Sequence, residues 1–379
     1  MNILLVGEYN RSHKSLKEGL IYLGHHATVV GLSDGFKKVD VDLKIEHHYN
    51  KGLYKKLKVF IFKLFKIDLH SVSVKKQIKG LESKLSNFDV VQFVNESCFL
   101  CQPKTERAIF DLLTTWNDKS FLLSCGTDFA SVRYALDKKF RYSILTPYFE
   151  NRVPKSSFSL GLKYVEPGFK QLHEHLFENV RGVISSDLDY TIPLENYPKH
   201  LGLIPHLVNT DVIAFEPLNL DEKIIIFHGI NRTNYYKKGN DIFEKALDII
   251  ALKYSKKIDV ITVEDVPYTT YINAFDTAHI LLDQVYAYDQ GYNALEAMAK
   301  GKVVFTGAEQ EWLDYYNLEE DTVAINALPN AEAIAKKLEW LILNPEQLMV
   351  ISKNARAFIE REHDYIKNSQ QFLDVWEKA

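Results

Sequence analysis

Residues 279–306 read HILLDQVYAYDQGYNALEAMAKGKVVFT, and their order is strand, helix, strand. His279 to Asp283 is an apolar run of strand length. Gly291 to Lys300 carries apolar residues at helical spacing, with Gly301 just past the end, and Lys302 to Thr306 is a second apolar run. Short strands joined by a helix belong to a parallel sheet covered on both faces. The helix start turns its N–H groups and positive dipole end toward an anion. Gly291 allows close backbone approach there, with Gln290, Tyr292 and Asn293 around it. Glu296 lies about one and a half turns in, where a carboxylate can accept hydrogen bonds from ribose hydroxyls.

The same alternation extends outward in both directions. Upstream, Lys223 to His228 and Lys257 to Val263 read as strands, and Asn240 to Leu252 and Tyr268 to Phe275 as helices. In the first half, strands are expected at Asn2 to Gly7, Ala27 to Gly31, Phe88 to Phe93, Ser120 to Ser124 and Arg181 to Ser185. A helix at Glu106 to Trp116 falls between two of them. Leu201 to Leu220, with Pro205 and Pro217, reads as a linker. At roughly 150 residues per domain, 379 residues make two α/β units with a cleft between them.

Composition narrows the function class. Hydrophobic residues are 46% and charged residues 25% of the chain, with a net charge of −4. That is ordinary globular composition, and it argues against a general nucleic-acid binder. The three cysteines, Cys98, Cys101 and Cys125, are too few for a disulfide framework and suit a reducing cytoplasm. Cys98-x-x-Cys101 lacks the further ligands of a zinc site. His173 and His175 are two apart and would point to different sides of a helix. Asp187-Leu188-Asp189 reads as turn chemistry, away from the phosphate features. No run reaches the length of a membrane span.

The first strand is followed by Gly7-Glu8-Tyr9-Asn10-Arg11-Ser12, without the second and third glycines of a dinucleotide fingerprint, so a nicotinamide or flavin oxidoreductase is not expected. Glu8, Asn10 and Arg11 still face the cleft. In the second unit Gly229 lets the backbone turn at the strand end. Arg232 offers a planar fork for phosphate oxygens and Lys238 a compact charge, followed by Gly239. Asp283 and Gln284 end the next strand near the same cleft, with Asp289 beyond them. In the first unit Asp128, in Gly126-Thr127-Asp128, is the leading candidate for acceptor contact or proton handling, with Asn95-Glu96 just below it.

These residues resemble those of a GT-B glycosyltransferase of the family 4 type. Gly229, Arg232 and Lys238-Gly239 match the first motif of that family's second domain. Gly291 and Glu296-Ala297-Met298-Ala299-Lys300-Gly301 match the second, the end of Glu-x7-Glu. The resemblance implies two Rossmann-like domains: residues 1–207 on the acceptor side and 208–361 for the nucleotide sugar. It also implies that helix 362–379 packs back on the first. It further implies transfer with retention, from a nucleotide-diphosphate sugar to a glycan or lipid-linked acceptor, without cofactor or metal. Arg232, Lys238 and Asp128 would serve the reaction, with Glu296 at the ribose. Gly229, Gly239, Gln284, Asp289, Gln290, Gly291, Tyr292 and Asn293 would line the donor site. The acid of that motif that contacts the transferred sugar falls at Tyr288, with Asp289 next to it. A sugar-nucleotide epimerase of similar shape, or a binding protein that keeps the pocket, are the alternatives.

Lys51 to Lys66 (KGLYKKLKVFIFKLFK) stands outside this pattern. Leu53, Leu57, Phe60, Ile61 and Leu64 share one side of a helix; most lysines take the other, with Val59 and Phe62 among them. The segment is either an interfacial helix that touches anionic lipid, on the inner face of the cell membrane, or a surface helix whose apolar side packs on a core.

Overall fold

The computed structural model describes residues 1–32, 39–49, 51–220 and 222–379. Twelve strands run through them. In the first half they are β1 (Asn2–Val6), β2 (His26–Gly31), β3 (Leu43–Lys44), β4 (Val90–Phe93), β5 (Lys119–Ser124), β6 (Gly182–Ser185) and β7 (His200–Leu203). In the second half they are β8 (Ile224–Ile230), β9 (Ile258–Glu264), β10 (Ile280–Leu282), β11 (Val303–Thr306) and β12 (Ile325–Asn326). The first set forms one sheet in the order β3-β2-β1-β4-β5-β6-β7, and the second forms another in the order β12-β11-β10-β8-β9. Every pairing is parallel.

Helices cover the sheet faces, so the central strands are apolar throughout: Ile3 to Val6 and Val303 to Phe305 are fully buried. Leu201 to Leu203 belong to β7 and not to a linker. β3 and β12 have two residues each, too few to show a period of two.

The strand order sets the place of a site. In the first sheet the direction of winding reverses between β1 and β4, and in the second between β8 and β10. Loops leaving neighbouring strands there diverge and leave a crevice beyond the carboxyl ends. The crevices are therefore expected beside the loops that leave β1, β4, β8 and β10.

The last helix, Tyr365–Lys378, returns to the first sheet. Phe372, Leu373 and Trp376 join the first core. Trp376 Nε1 donates to Gln92 Oε1 of β4 at 3.1 Å, and Ser369 Oγ to the Leu16 carbonyl at 3.3 Å. The helix approaches closely because Gly19 has no side chain. A Cβ there would lie 2.2 Å from Ser369 Oγ and 2.4 Å from the Tyr365 carbonyl oxygen. Gly19→Val should force the two helices apart and cost about 1–3 kcal/mol, as overpacking does. A melting temperature equal to wild type would show that the contact yields freely.

Candidate functional site

A cavity of about 650 Å³ lies between the carboxyl ends of the two sheets. From the first sheet it receives Tyr9, Asn10 and Ser12 after β1, Gly126 and Thr127 after β5, and Asp187 after β6. From the second it receives Gly229 to Asn231, Lys237, Lys238, Asp283, Gln284 and Asp289 to Asn293. The loop after β1 is tightly folded: Gly7, Asn10 and Arg11 all have positive φ. For Asn10 and Arg11 that is an uncommon conformation, and such residues collect at functional sites.

Two lysines stand at one end. The turn Tyr235–Lys238 is stopped by Gly239, whose φ of +74° admits no ordinary side chain and whose Cβ would lie 2.6 Å from Val285 Cβ. Lys238 Nζ reaches Asp283 Oδ1 at 2.8 Å. Lys237 Nζ reaches across the cleft to Thr127 Oγ1 at 3.3 Å. Burial lowers the Lys237 pKa, and the charge of Lys238 adds to it. Opposite them begins the helix Tyr292–Ala299, with Gly291 as its N-cap and no side-chain oxygen capping it. Lysine ammonium groups and an uncapped helix start suit an anion with several oxygens.

Asp283 is the buried acid of this end. Its Oδ1 also accepts from Asn293 Nδ2 at 3.2 Å, and its Oδ2 is buried without a partner. Tyr271 donates to Asn293 Oδ1 at 3.0 Å, and its ring lies where a Cβ on Gly229 would come within 2.6 Å. Gly229 is thus required for an aromatic wall. Gln290 and Gln284 brace the loop, the first donating to the Gly307 carbonyl at 2.6 Å and the second to the Asp289 carbonyl at 3.4 Å.

Several sequence expectations need correction. Arg232 does not line the cavity. Its Nε and Nη2 pair with Glu264 at 2.5 and 2.6 Å on the exposed surface, and its guanidinium covers the Tyr235 ring. The second cation of the site is Lys237, which only the tight turn before Gly239 brings to the cleft. Gly239 is a structural corner outside the cavity lining. Glu296 lies off the main cavity, against a small neighbouring hollow with Arg11 and Asn209. Asp128 caps the helix Phe129–Leu136: it accepts from Ser131 N at 2.8 Å, from Ser131 Oγ at 2.6 Å and from Ser124 Oγ. Both its oxygens are engaged, and its neighbours Gly126 and Thr127 face the cavity instead. In the first loop Glu8 accepts from Lys14 N, and Arg11 approaches Glu18. Glu96 pairs with His173 Nδ1 at 2.5 Å deep in the first domain, while Asn95 binds the Cys125 and Thr127 carbonyls.

Tyr288 is turned away from the cavity. Its hydroxyl accepts from Arg141 N at 2.8 Å, the Arg141 guanidinium lies 4.8 Å from its ring centre, and Phe140 and Tyr142 pack beside it. Arg141 also binds Glu309 at 2.7 Å and Glu311 at 2.5 Å. Position 288 therefore holds the two halves together.

Asp187 and Asp189 are likewise not remote from the phosphate features. Leu188 N donates to Asp289 Oδ2 at 3.1 Å, and Asp189 accepts from Tyr288 N at 3.1 Å and Asp289 N at 3.2 Å. Three carboxyl groups, Asp187, Asp189 and Asp289, meet at this junction, with His206 Nε2 3.3 Å from Asp187 Oδ2. Burial raises all three above the usual carboxylate range, Asp187 and Asp289 to about 7; the charge of Asp187 adds to the rise at Asp189 and Asp289, and that of Asp128 to the rise at Asp187. Burial also pushes His206 down to about 4, against the pull of Asp289. Among the described residues no group of three or more His, Cys, Asp or Glu is arranged to hold a metal ion.

Residues 233–374 match the family model described as glycosyl transferase-like. No curated protein sequence matches the chain. Among solved structures, sucrose-phosphate synthase from Thermosynechococcus elongatus is similar with a TM-score of 0.63 at 14% identity, covering 100% of this chain and 99% of that one. HepE from Anabaena in complex with UDP-glucose is similar with a TM-score of 0.60 at 11% identity, covering both chains fully. A UDP-N-acetylglucosamine 2-epimerase from Listeria monocytogenes, so described provisionally, gives 0.52 at 10% identity, covering 100% of this chain and 96% of that one.

A carboxyl group held neutral in the fold but ionised in the unfolded chain lowers stability as pH rises from the ordinary carboxylate range through its raised pKa. His13, His206 and His363, each lowered to about 4, act in the other direction and lose stability as pH falls below 6.5. Above that pH the carboxyl cluster governs. Asp187→Asn should raise the melting temperature at about pH 8 and flatten its fall between about pH 6.5 and 8. An unchanged slope in thermal melts across that window would contradict the raised pKa values.

Proposed function

We propose that this chain, which has the GT-B fold and a glycosyl transferase-like stretch over residues 233–374, moves a sugar from a nucleoside-diphosphate sugar to an acceptor hydroxyl. The observation that carries the proposal is the convergence of Lys237, Lys238 and the helix start at Gly291 on one end of the cavity. A departing diphosphate gathers negative charge as the glycosidic bond breaks, and fixed positive groups stabilise that charge most when water is excluded. These groups do the work that a metal ion does elsewhere, so no metal is invoked.

The neighbouring Tyr271 wall suits a nucleobase or ribose face. Asp283, with a free buried oxygen beside Asn293, suits hydroxyls of the transferred sugar. HepE has been solved with UDP and with UDP-glucose, which makes uridine donors the first to test. On the facing side Tyr9, Asn10 and Thr127 would meet a glycan or lipid-linked acceptor. Retention at the anomeric carbon follows from the family resemblance and is part of the same reading. So is work in the cytoplasm, in keeping with the unpaired buried thiols Cys98, Cys101 and Cys125.

Tyr288 favours a second reading, a binding protein that holds the donor without turnover. Nucleoside-diphosphate release separates the two, and release that rises with added acceptor while the sugar keeps its configuration at carbon 2 excludes an epimerase. With a panel of uridine donors, Lys237→Ala and Lys238→Ala should each lower kcat by about 100-fold. Arg232→Ala should change it by less than about twofold, because an exposed ion pair contributes little. Equal rates in wild type and both lysine variants would reject the assignment. Donor binding with no release by wild type would favour the binding protein.

A further inference from the structure

The helix Gly52–Phe65 contains no buried residue. Leu53, Leu57, Phe60, Phe62, Leu64 and Phe65 are all exposed, from 39% at Phe62 to 80% at Leu53. No apolar side packs on a core, which removes the simpler alternative for this segment. Residues 51–66 include six lysines and no acidic residue. Leu53, Leu57, Phe60, Ile61 and Leu64 share one broad apolar side, and the lysines take the other, with Val59 and Phe62 among them. A lysine face without a single acid, beside an exposed face of aromatic and aliphatic groups, suits the interface of an anionic bilayer. There the rings enter the acyl boundary and the lysine stems reach back to anionic headgroups.

The helix is tied to the rim of the cavity by a chain of hydrogen bonds. Lys58 pairs with Asp68, whose carboxylate caps the helix Leu69–Gly80 through His70 N and Ser71 N. Ser71 Oγ accepts from Gln102 N at 2.8 Å, and His70 Nε2 meets the Phe99 carbonyl at 3.0 Å. The buried Glu106 carboxylate fixes the same loop through Cys101 N at 2.7 Å and Phe99 N at 3.1 Å. Ser97, in that loop, accepts from the hydroxyl of Tyr9, and Tyr9 lines the cavity. Leu100, at the tip of the loop, is 52% exposed. The apolar basic helix and the cavity thus share one edge of the first sheet, the carboxyl ends of its strands.

We propose that Gly52–Phe65 seats the protein on an anionic bilayer, and that the acceptor is an amphiphile of that bilayer whose polar head enters the cavity past this rim. The acceptor class rests on the glycosyl-transfer reading; the bilayer docking does not.

The first test is flotation of the full chain with vesicles of equimolar phosphatidylcholine and phosphatidylglycerol, or of phosphatidylcholine alone. Wild type should float with the anionic vesicles, and less as salt rises. Phe60→Glu with Leu64→Glu should reduce the floated fraction about tenfold, and Lys55→Glu with Lys63→Glu should abolish the preference for anionic lipid. All four residues lack buried contacts, so unchanged thermal melts are expected. Docking is overturned if wild type stays behind with every vesicle, or if the apolar variant floats equally. It is also overturned if wild type is a dimer that this variant makes monomeric, since a second copy then covers the helix.

The second test is nucleoside-diphosphate release from UDP-glucose, with and without vesicles of total bacterial lipid. Vesicles should stimulate wild type, and the Phe60→Glu, Leu64→Glu variant should keep its unstimulated rate but lose the stimulation. Flotation without stimulation overturns the acceptor class and leaves docking intact. No release by either protein under any condition overturns the glycosyl-transfer reading, and the acceptor class with it.

Discussion

The Asp189 side-chain carboxyl accepts the backbone N–H groups of Tyr288 and Asp289, and this junction fixes one wall of the cavity relative to the other. The segment it holds, 283–291, carries Asp283, Gln290 and Gly291. Each contributes to the cavity only because that segment is pinned between the β10 end and the first domain. Leu188 N on Asp289 and Arg141 N on the Tyr288 hydroxyl close the junction from two further directions. A buried carboxyl or backbone N–H left without a partner is costly, so these hydrogen bonds are held firmly. The relative placement of the halves is thus set by a few directional bonds, beside apolar contacts such as Leu188 in the core of the second half.

Position 288 shows how one residue can move from one task to another. The resemblance places a sugar-binding acid there; the chain has a tyrosine whose hydroxyl and ring serve the contact with Phe140, Arg141 and Tyr142. Asp283, the acid that does line the cavity, keeps an oxygen free although Lys238 and Asn293 hold the other.

The parallel strands were legible because burial on both faces leaves an apolar run with glycine or a polar residue at its end. β3 and β12 were not, since two residues carry no period, nor was β7, a strand that is only partly buried and has Gly202 inside it. The helix start at Gly291 was readable from the local pattern alone. Arg232 and Lys237 show the limit of that reading. Both are cations in one loop, and only a tertiary contact decides between them: Glu264, on the adjacent β9, draws Arg232 outward, while the corner at Gly239 turns Lys237 toward Thr127. Asp128 failed for a local reason. A serine three residues on makes a reciprocal cap, which engages an acid that strand position alone would aim at the cleft. The Asp187–Asp189 junction needed distance information no local pattern holds, since its partners are about a hundred residues away.

The chain passes between the halves twice, once after β7 and once before the final helix. Val208 N donates to the His363 carbonyl, and His363 Nδ1 meets the His206 carbonyl, both at 2.8 Å. The outgoing and returning strands are therefore stitched side by side, and mechanically they behave as one pin. Two separate crossings would lock the halves or let them shear. A single stitched crossing resists sliding and twisting between the halves. His206 belongs both to that crossing and to the cavity lining, so this wall of the cavity is anchored to both passages of the chain at once.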